Sequence, residues 1–195
     1  TTACPMGCEN SACAVNVDDN DLCVDVESAA VNVGAGWSVY GSYEDLNDDV
    51  DFDAPNCVGQ DTDGPDAFYY VDVPTGEVLR ARAESYGDEQ PMVYAITDCA
   101  DPANTCVAGA EELGDSNVAE FTWLNDTGSA TSVLVVVDSE STSADELFGL
   151  TLEVKPQECS PGTIACTNGQ IATCNEDGLN DYYQCDGACN GAGDG

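Results

Sequence analysis

Two kinds of side chain in this sequence have the chemistry to bond or to bind, the cysteines and the acids. Twelve cysteines are spread unevenly: five lie at or before Cys57, five at or after Cys159, and only Cys99 and Cys106 fall between. Histidine is absent, and so are the two close C-x2-C pairs of the usual zinc spacing. Disulfides are therefore the expected state of these thiols, which places the protein in an oxidising compartment, extracellular or at a cell surface.

The acids number 38 against three basic residues, Arg80, Arg82 and Lys155, for a formal charge of −35. Nucleic acid and anionic membrane both require positive charge, so neither is an expected partner. A charge of this size repels itself across the fold and has to be relieved by bound divalent cations or by a salty medium. The densest acidic stretch, "YEDLNDDVDFDAPNC" (43–57), carries Glu44, Asp45, Asp48, Asp49, Asp51 and Asp53, and "QDTDGPD" (60–66) adds Asp61, Asp63 and Asp66. Calcium takes roughly six to eight oxygen ligands, and alternate carboxylates on an extended loop can turn toward one ion. A loop-type calcium site between the two segments is one reading of Asp45, Asp48, Asp49, Asp51, Asp53, Asp61 and Asp63; a solvated acidic loop suited to high salt is the other. The EF-hand register fails, because Val50 stands where the glycine belongs and Asn56 where the bidentate Glu belongs. "NVDDND" (16–21) is a weaker candidate, and Asp66 reads better as a cap on the turn entering the next strand.

Catalysis has little to work with. Without histidine the common nucleophile arrangements lose their base, and neither a G-x-S-x-G elbow nor a Gly-rich phosphate loop is present. Two carboxylates near one another carry no information in a chain with 38 of them, so no enzyme is expected.

The elements that must position these groups are strands. From about 30 to 155 short β-type runs alternate with turn signals: 29–41, "AFYYVDV" (67–73), "EVLRARAES" (77–85), "PMVYAIT" (91–97), "VAEFTWL" (118–124), "SVLVVVDS" (132–139) and "LFGLTLEV" (147–154). In "EVLRARAE" Leu79, Ala81 and Ala83 alternate with Arg80, Arg82 and Glu84, the mark of a strand with one wet face. Seven or eight such strands without an amphipathic helix indicate an all-β, antiparallel β-sandwich over 29–155, with a cysteine-rich segment 1–28 before it and a disulfide-stapled module 156–195 after it. The stretch "AGAEELGD" (108–115) reads as one helical turn or an acidic loop. The longest apolar runs, such as "VLVVV" (133–137), are too short to span a bilayer. Thr1-Thr2-Ala3 lacks the features of a secretory signal, so the chain reads as a mature form or an excised segment.

Two stretches resemble known families. "GPDAFYYVDVPTGEVLRARAESYGDEQPMVYAITDCADPANTCVAG", continued by "VLVVVDS" and "FGLTLEV", resembles the cysteine-containing version of the bacterial pre-peptidase C-terminal domain, in which Gly-Pro-Asp precedes a Tyr-rich strand and a C-x6-C hairpin precedes Val-Ala-Gly. The resemblance covers roughly 30–155. It implies a jelly-roll-like sandwich without catalytic residues, serving as an accessory, adhesive or substrate-binding module, in some members with calcium. The tail "CSPGTIACTNGQIATCNEDGLNDYYQCDGACNGAGDG" resembles a six-cysteine bacterial repeat of the form C-x-P-G-x3-C, of which five cysteines are present here, and "CPMGCENSAC" resembles its closing half.

Cys99 and Cys106, seven positions apart across "ADPANT", suit a hairpin staple, and the first resemblance agrees. That leaves five cysteines on each side, and five is odd. If every thiol is oxidised, an odd number of bridges must join the N-terminal group to the C-terminal one, either within a chain or from the tail of one molecule to the head of the next. The tail-to-head alternative makes Cys4, Cys8, Cys13, Cys159, Cys166, Cys174, Cys185 and Cys189 assembly residues, and contacts of that kind that do not close produce filaments. Intrachain closure or a free thiol is the alternative.

Trp37, Tyr40, Tyr43, Tyr86 and Trp123 either line a ligand groove or fill the core, the second being the commoner fate of aromatics in a sandwich. "NDT" at Asn125 fits the N-glycosylation sequon on a turn. The function expected from all of this is that of a secreted structural protein, a cation-stabilised subunit joined to copies of itself through its cysteine-rich ends. The rival expectation is an accessory adhesin or binding module of a secreted hydrolase or surface protein, recognising an extracellular polysaccharide or protein.

Overall fold

The computed structural model describes residues 8–9, 12–13, 23, 36–44, 46–51, 57–112, 116–141, 146–167, 170–176 and 178–184. Two short strands, β1 (Cys8–Glu9) and β2 (Ala12–Cys13), pair antiparallel with Cys8 opposite Cys13. Eight strands then build the body: β3 (Trp37–Ser42), β4 (Ala67–Val73), β5 (Glu77–Ser85), β6 (Pro91–Ile96), β7 (Cys106–Glu111), β8 (Val118–Leu124), β9 (Thr131–Ser139) and β10 (Leu147–Pro156). They form two four-stranded antiparallel sheets, ordered β3-β10-β5-β8 and β4-β9-β6-β7. Except at the β6-β7 hairpin, which holds the single turn α1 (Pro102–Thr105), each connection passes from one sheet to the other. That is the strand order of an eight-stranded jelly roll.

The two sheets bury different numbers of faces, and the sequence patterns follow from this. Between the sheets lies one core, with Val39, Leu79, Ala81, Phe121, Phe148, Leu150 and Leu152 from the first sheet against Tyr69, Val71, Val93, Val133, Val135 and Val137 from the second. The second sheet also buries its outer face: Phe68, Met92, Tyr94, Ile96, Leu134 and Val136 pack against Cys23, Val50 and Val58. Its strands therefore read as near-continuous apolar runs, and every residue of β6 is buried. The first sheet leaves its outer face in solvent, so β5 and β10 alternate.

Strand β7 departs from the expectation of a helical turn or acidic loop beginning at residue 108. Its sequence CVAGAE has no alternation to read, since all six residues are half-buried on a sheet edge. Gly109 is fixed there by space, because a Cβ would lie 2.7 Å from the Cys57 carbonyl oxygen and 2.8 Å from Tyr94 Cβ.

After Pro156 the chain forms a three-stranded sheet, β11 (Ile164–Thr167), β12 (Gln170–Cys174) and β13 (Asn180–Gln184), in that order. Gln157 donates its N–H to the Gly76 carbonyl at 3.1 Å, and Glu158 accepts from the Asn180 N–H at 3.2 Å and from Lys155 Nζ at 3.3 Å, which ties the small sheet to the end of β10. No helix among the described residues is long and apolar enough to cross a membrane.

Candidate functional site

The acidic segments do come together. Asp66 donates its N–H to the Asn47 carbonyl at 2.9 Å, and its Oδ2 accepts the N–H groups of Asp49 and Val50, each at 2.8 Å. Thr62 Oγ1 donates to the Val50 carbonyl at 3.1 Å. Asp66 thus braces the preceding loop rather than the turn ahead of it. It is fully buried, and so is Asp138 at the end of β9. Tyr94 Oη lies 2.9 Å from Asp138 Oδ2 and 3.5 Å from Asp66 Oδ1, Tyr43 Oη donates to the Asp138 carbonyl at 3.1 Å, and the Ser139 N–H donates to Asp138 Oδ1 at 2.6 Å. Burial, opposed by the two backbone donors, carries Asp66 up to about 7, and burial together with the Asp66 charge holds Asp138 well above the carboxylate range. The chain's three cations lie on β5 and β10 of the other sheet, so none of them neutralises this pair, and the upward direction of both carboxyls favours a proton held between them.

Asp48, Asp49, Asp51, Asp61 and Asp63 are exposed on the loops that Asp66 braces. Partial burial and then the charges of Asp51, Asp63 and Asp49 push the Asp48 carboxyl up, so these groups feel one another. Among the described residues no three acids or cysteines converge on a metal-sized site. Asp45 and Asp53 lie outside the described residues, as does the 16–21 stretch. The described geometry is that of an exposed acidic rim.

The cysteine pairing differs from the hairpin expectation. Cys99 bonds to Cys23, with Cα atoms 6.0 Å apart, and Cys106 bonds to Cys57 at 5.6 Å. The reason is register: Cys106 stands opposite Ile96, three positions before Cys99, and the turn between them is already closed by Thr97 N–H to the Thr105 carbonyl (3.1 Å) and Asp98 N–H to Thr105 Oγ1 (3.2 Å). Both bridges instead pin N-terminal segments over the outer face of the second sheet. Cys159 and Cys174, placed among the assembly residues by the sequence, close on each other within the C-terminal sheet at a Cα separation of 5.8 Å.

Cys166 is an exposed free thiol on β11. It lies in register with Ile171 on β12, which faces Tyr183 on β13, so a cysteine, an isoleucine and a tyrosine form one row across the small sheet with Ile164 on the same side. Ile164 is 70% exposed and Tyr183 57%. The backbones of Cys8 and Cys13 are paired in β1 and β2, while Cys4, Cys185 and Cys189 lie outside the described residues.

The five aromatics divide. Tyr43 is core, its ring tilted against Phe148 at 4.9 Å, and Trp37 and Trp123 are half-buried against the same cluster, Trp37 at 5.6 Å from Tyr69. Tyr40 and Tyr86 are instead half-exposed and lie 5.7 Å apart on the open face of the first sheet. Asn125 is fully buried; its Nδ2 donates to the Val73 and Ser129 carbonyls, both at 2.8 Å, and its Oδ1 accepts from Thr127 N–H at 3.1 Å and Thr127 Oγ1 at 2.7 Å. In the folded turn that nitrogen is buried and donates both bonds to backbone, so the side chain braces the turn.

Asp138 and the apolar row of Ile164, Ile171 and Tyr183 around the sequence-predicted Cys166 were missed in the sequence. A carboxylate ending the apolar run "VLVVVD" is the signal that marks the first. The second had none, because an exposed apolar row on a four- or five-residue strand is indistinguishable from loop composition. No protein-family model matches the chain, and no curated protein is similar to it.

Proposed function

We propose that this protein is a non-catalytic structural subunit of an extracellular filament or surface assembly, with the jelly roll as its rigid body and the cysteine-rich ends as its joints. The observation that carries this reading is the cysteine parity. The bridges Cys23–Cys99, Cys57–Cys106 and Cys159–Cys174 leave Cys4, Cys8 and Cys13 at one end and Cys166, Cys185 and Cys189 at the other, three in each group. Three is odd, so full oxidation still needs a bond between the ends, and Cys166 is the exposed thiol placed to make it, within an apolar row that a partner would cover. The disulfides favour an oxidising, extracellular setting. Calcium or high salt acts on the acidic rim by screening: the Debye length falls from about 10 Å at 0.1 M salt to about 3 Å at 1 M, which lets two strongly acidic bodies approach.

The test is a non-reducing gel of native material with and without calcium, beside disulfide mapping of the bands and the same experiment on Cys166→Ser. A ladder that collapses on reduction, carries a peptide joining the first thirteen residues to the 166–189 region, and is absent in Cys166→Ser is the expected result. A monomer that persists at high concentration with calcium, its remaining bridges all intrachain, refutes the proposal.

A further inference from the structure

The open face of the first sheet differs from the other described surfaces of the chain. All three cations sit on it or at its end, and each is ion-paired: Arg80 to Glu120 through two bonds of 2.9 Å, Arg82 to Glu84 at 2.8 Å, and Lys155 to Glu158 at 3.3 Å. On a molecule of charge −35 this face is close to neutral, so the rest of the molecule repels an anion from it while an uncharged ligand meets no opposing charge. A row of polar side chains crosses all four strands in register, Ser38, Thr151, Arg82 and Glu120, with Ser38 Oγ 3.1 Å from Thr151 Oγ1. At ~4.8 Å between strands the row is about 14 Å long. Beside it, between Arg80, Arg82, Thr151 and Glu153, lies a shallow groove of about 160 Å³.

The aromatic pair beside the row is built rather than incidental. Tyr40 is the register neighbour of Gly149, and a Cβ on Gly149 would stand 2.9 Å from Tyr86 Oη and 3.5 Å from Tyr40 Cε1. The glycine lets both rings lie over the sheet while each stays about half exposed, at 50% and 51%. Exposed apolar ring faces next to ion-paired side chains that offer both donors and acceptors fit a ligand with apolar C–H faces, many hydroxyls and no net charge.

We propose that this face is a binding site for an uncharged polysaccharide, with sugar rings stacked on Tyr40 and Tyr86 and hydroxyls bonded along the Ser38–Thr151–Arg82–Glu120 row. The site is independent of the cysteine joints. The test is affinity electrophoresis of the whole chain in gels cast with dextran, soluble starch, a β-1,3-glucan, xylan or galactomannan, with polygalacturonate as the charged control. At least one neutral polymer is expected to retard the protein and polygalacturonate not to, with the same affinity at low and at molar salt. Tyr86→Ala and Tyr40→Ala are expected to weaken binding at least about tenfold, Tyr86→Phe to keep most of it, and Cys166→Ser to leave it unchanged. Failure of every neutral polymer, or undiminished binding by the alanine variants, overturns the proposal. So does a loss of self-association in Tyr40→Ala or Tyr86→Ala by sedimentation, since that would make a second copy the occupant of this face.

Discussion

Replacing Asp138 by Asn tests whether the buried acid pair holds a proton. Asp66 and Asp138 are both fully buried and both raised, Asp66 to about 7 and Asp138 well above its ordinary value. For a carboxyl raised in the folded state, stability is fully present below the unfolded value near 4 and is lost as pH climbs toward the folded value, because the unfolded chain ionises freely while the folded one does not. Each pH unit by which a carboxyl is held protonated above its unfolded value costs about 1.36 kcal/mol, so the raised pair makes the folded state progressively less stable as pH climbs from about 4. Asn cannot ionise, and its Nδ2 can donate to Asp66 in place of the shared proton. It gives up one buried acceptor, facing Tyr94 Oη or the Ser139 N–H, worth about 1 kcal/mol.

Asp138→Asn is therefore expected to be less stable than the parent by about 1 kcal/mol at pH 4 and to gain on it steadily as pH rises toward 7. The assay is urea denaturation with disulfides intact, read by tyrosine and tryptophan fluorescence at several pH values in 1 M salt, which suppresses the repulsion of the acidic surface. Two parallel curves, with a constant difference from pH 4 to 8, would show that the pair carries no extra proton and would refute the assignment.

Three further outcomes follow from other parts of the fold. Peptide mapping should recover Cys23 with Cys99 and Cys57 with Cys106, and no peptide joining Cys99 to Cys106; by loop-closure entropy, removing either of these long-range bridges, which span 76 and 49 residues, should cost roughly 4 kcal/mol. Asn125→Ala should lower stability by about 2–3 kcal/mol, since it orphans the buried Val73 carbonyl, and the protein made in a glycosylating host should show no mass added at Asn125. Gly149→Ala should leave the sheet folded while moving Tyr86, detected as a change in its ring shifts by NMR; an unaltered Tyr86 would mean that the glycine does not set the ring pair.

The sandwich was legible because its strands advertise themselves in two ways. Strands β4, β5 and β8 lie where their runs begin and end, since alternation in β5 and unbroken apolar sequence in β4 each report which faces are covered. Strand β7 was illegible because a small-residue edge strand has neither pattern, and Gly109 is explained only by the approach of Cys57. The disulfides were illegible for a different reason. Spacing along the chain offers Cys99 and Cys106 to each other, whereas the choice of partner depends on what lies over the second sheet, and that is a long-range fact. Asp66 was recognisable as structural from its Gly-Pro-Asp context, but its partner Asp138, 72 positions away, was not.

The revised pairing strengthens the argument for joints at the ends. With Cys99 and Cys106 tied to each other, the sandwich would have kept its second sheet's outer face without covalent cover, and lateral stacking through that face would have competed with end-to-end contact. Tied instead to Cys23 and Cys57, they hold Val50, Val58 and Cys23 over Phe68, Tyr94 and Ile96, and the face is closed. The rim loops carry exposed carboxylates that repel a like body. The first sheet's outer face is open but charge-balanced and polar, better matched to hydroxyls than to another protein core. Of the described surfaces, only the C-terminal sheet combines exposed Ile164, Ile171 and Tyr183 with a free thiol. On the filament proposal, self-association runs through the C-terminal sheet, and contact of that kind without closure builds a line rather than a cluster.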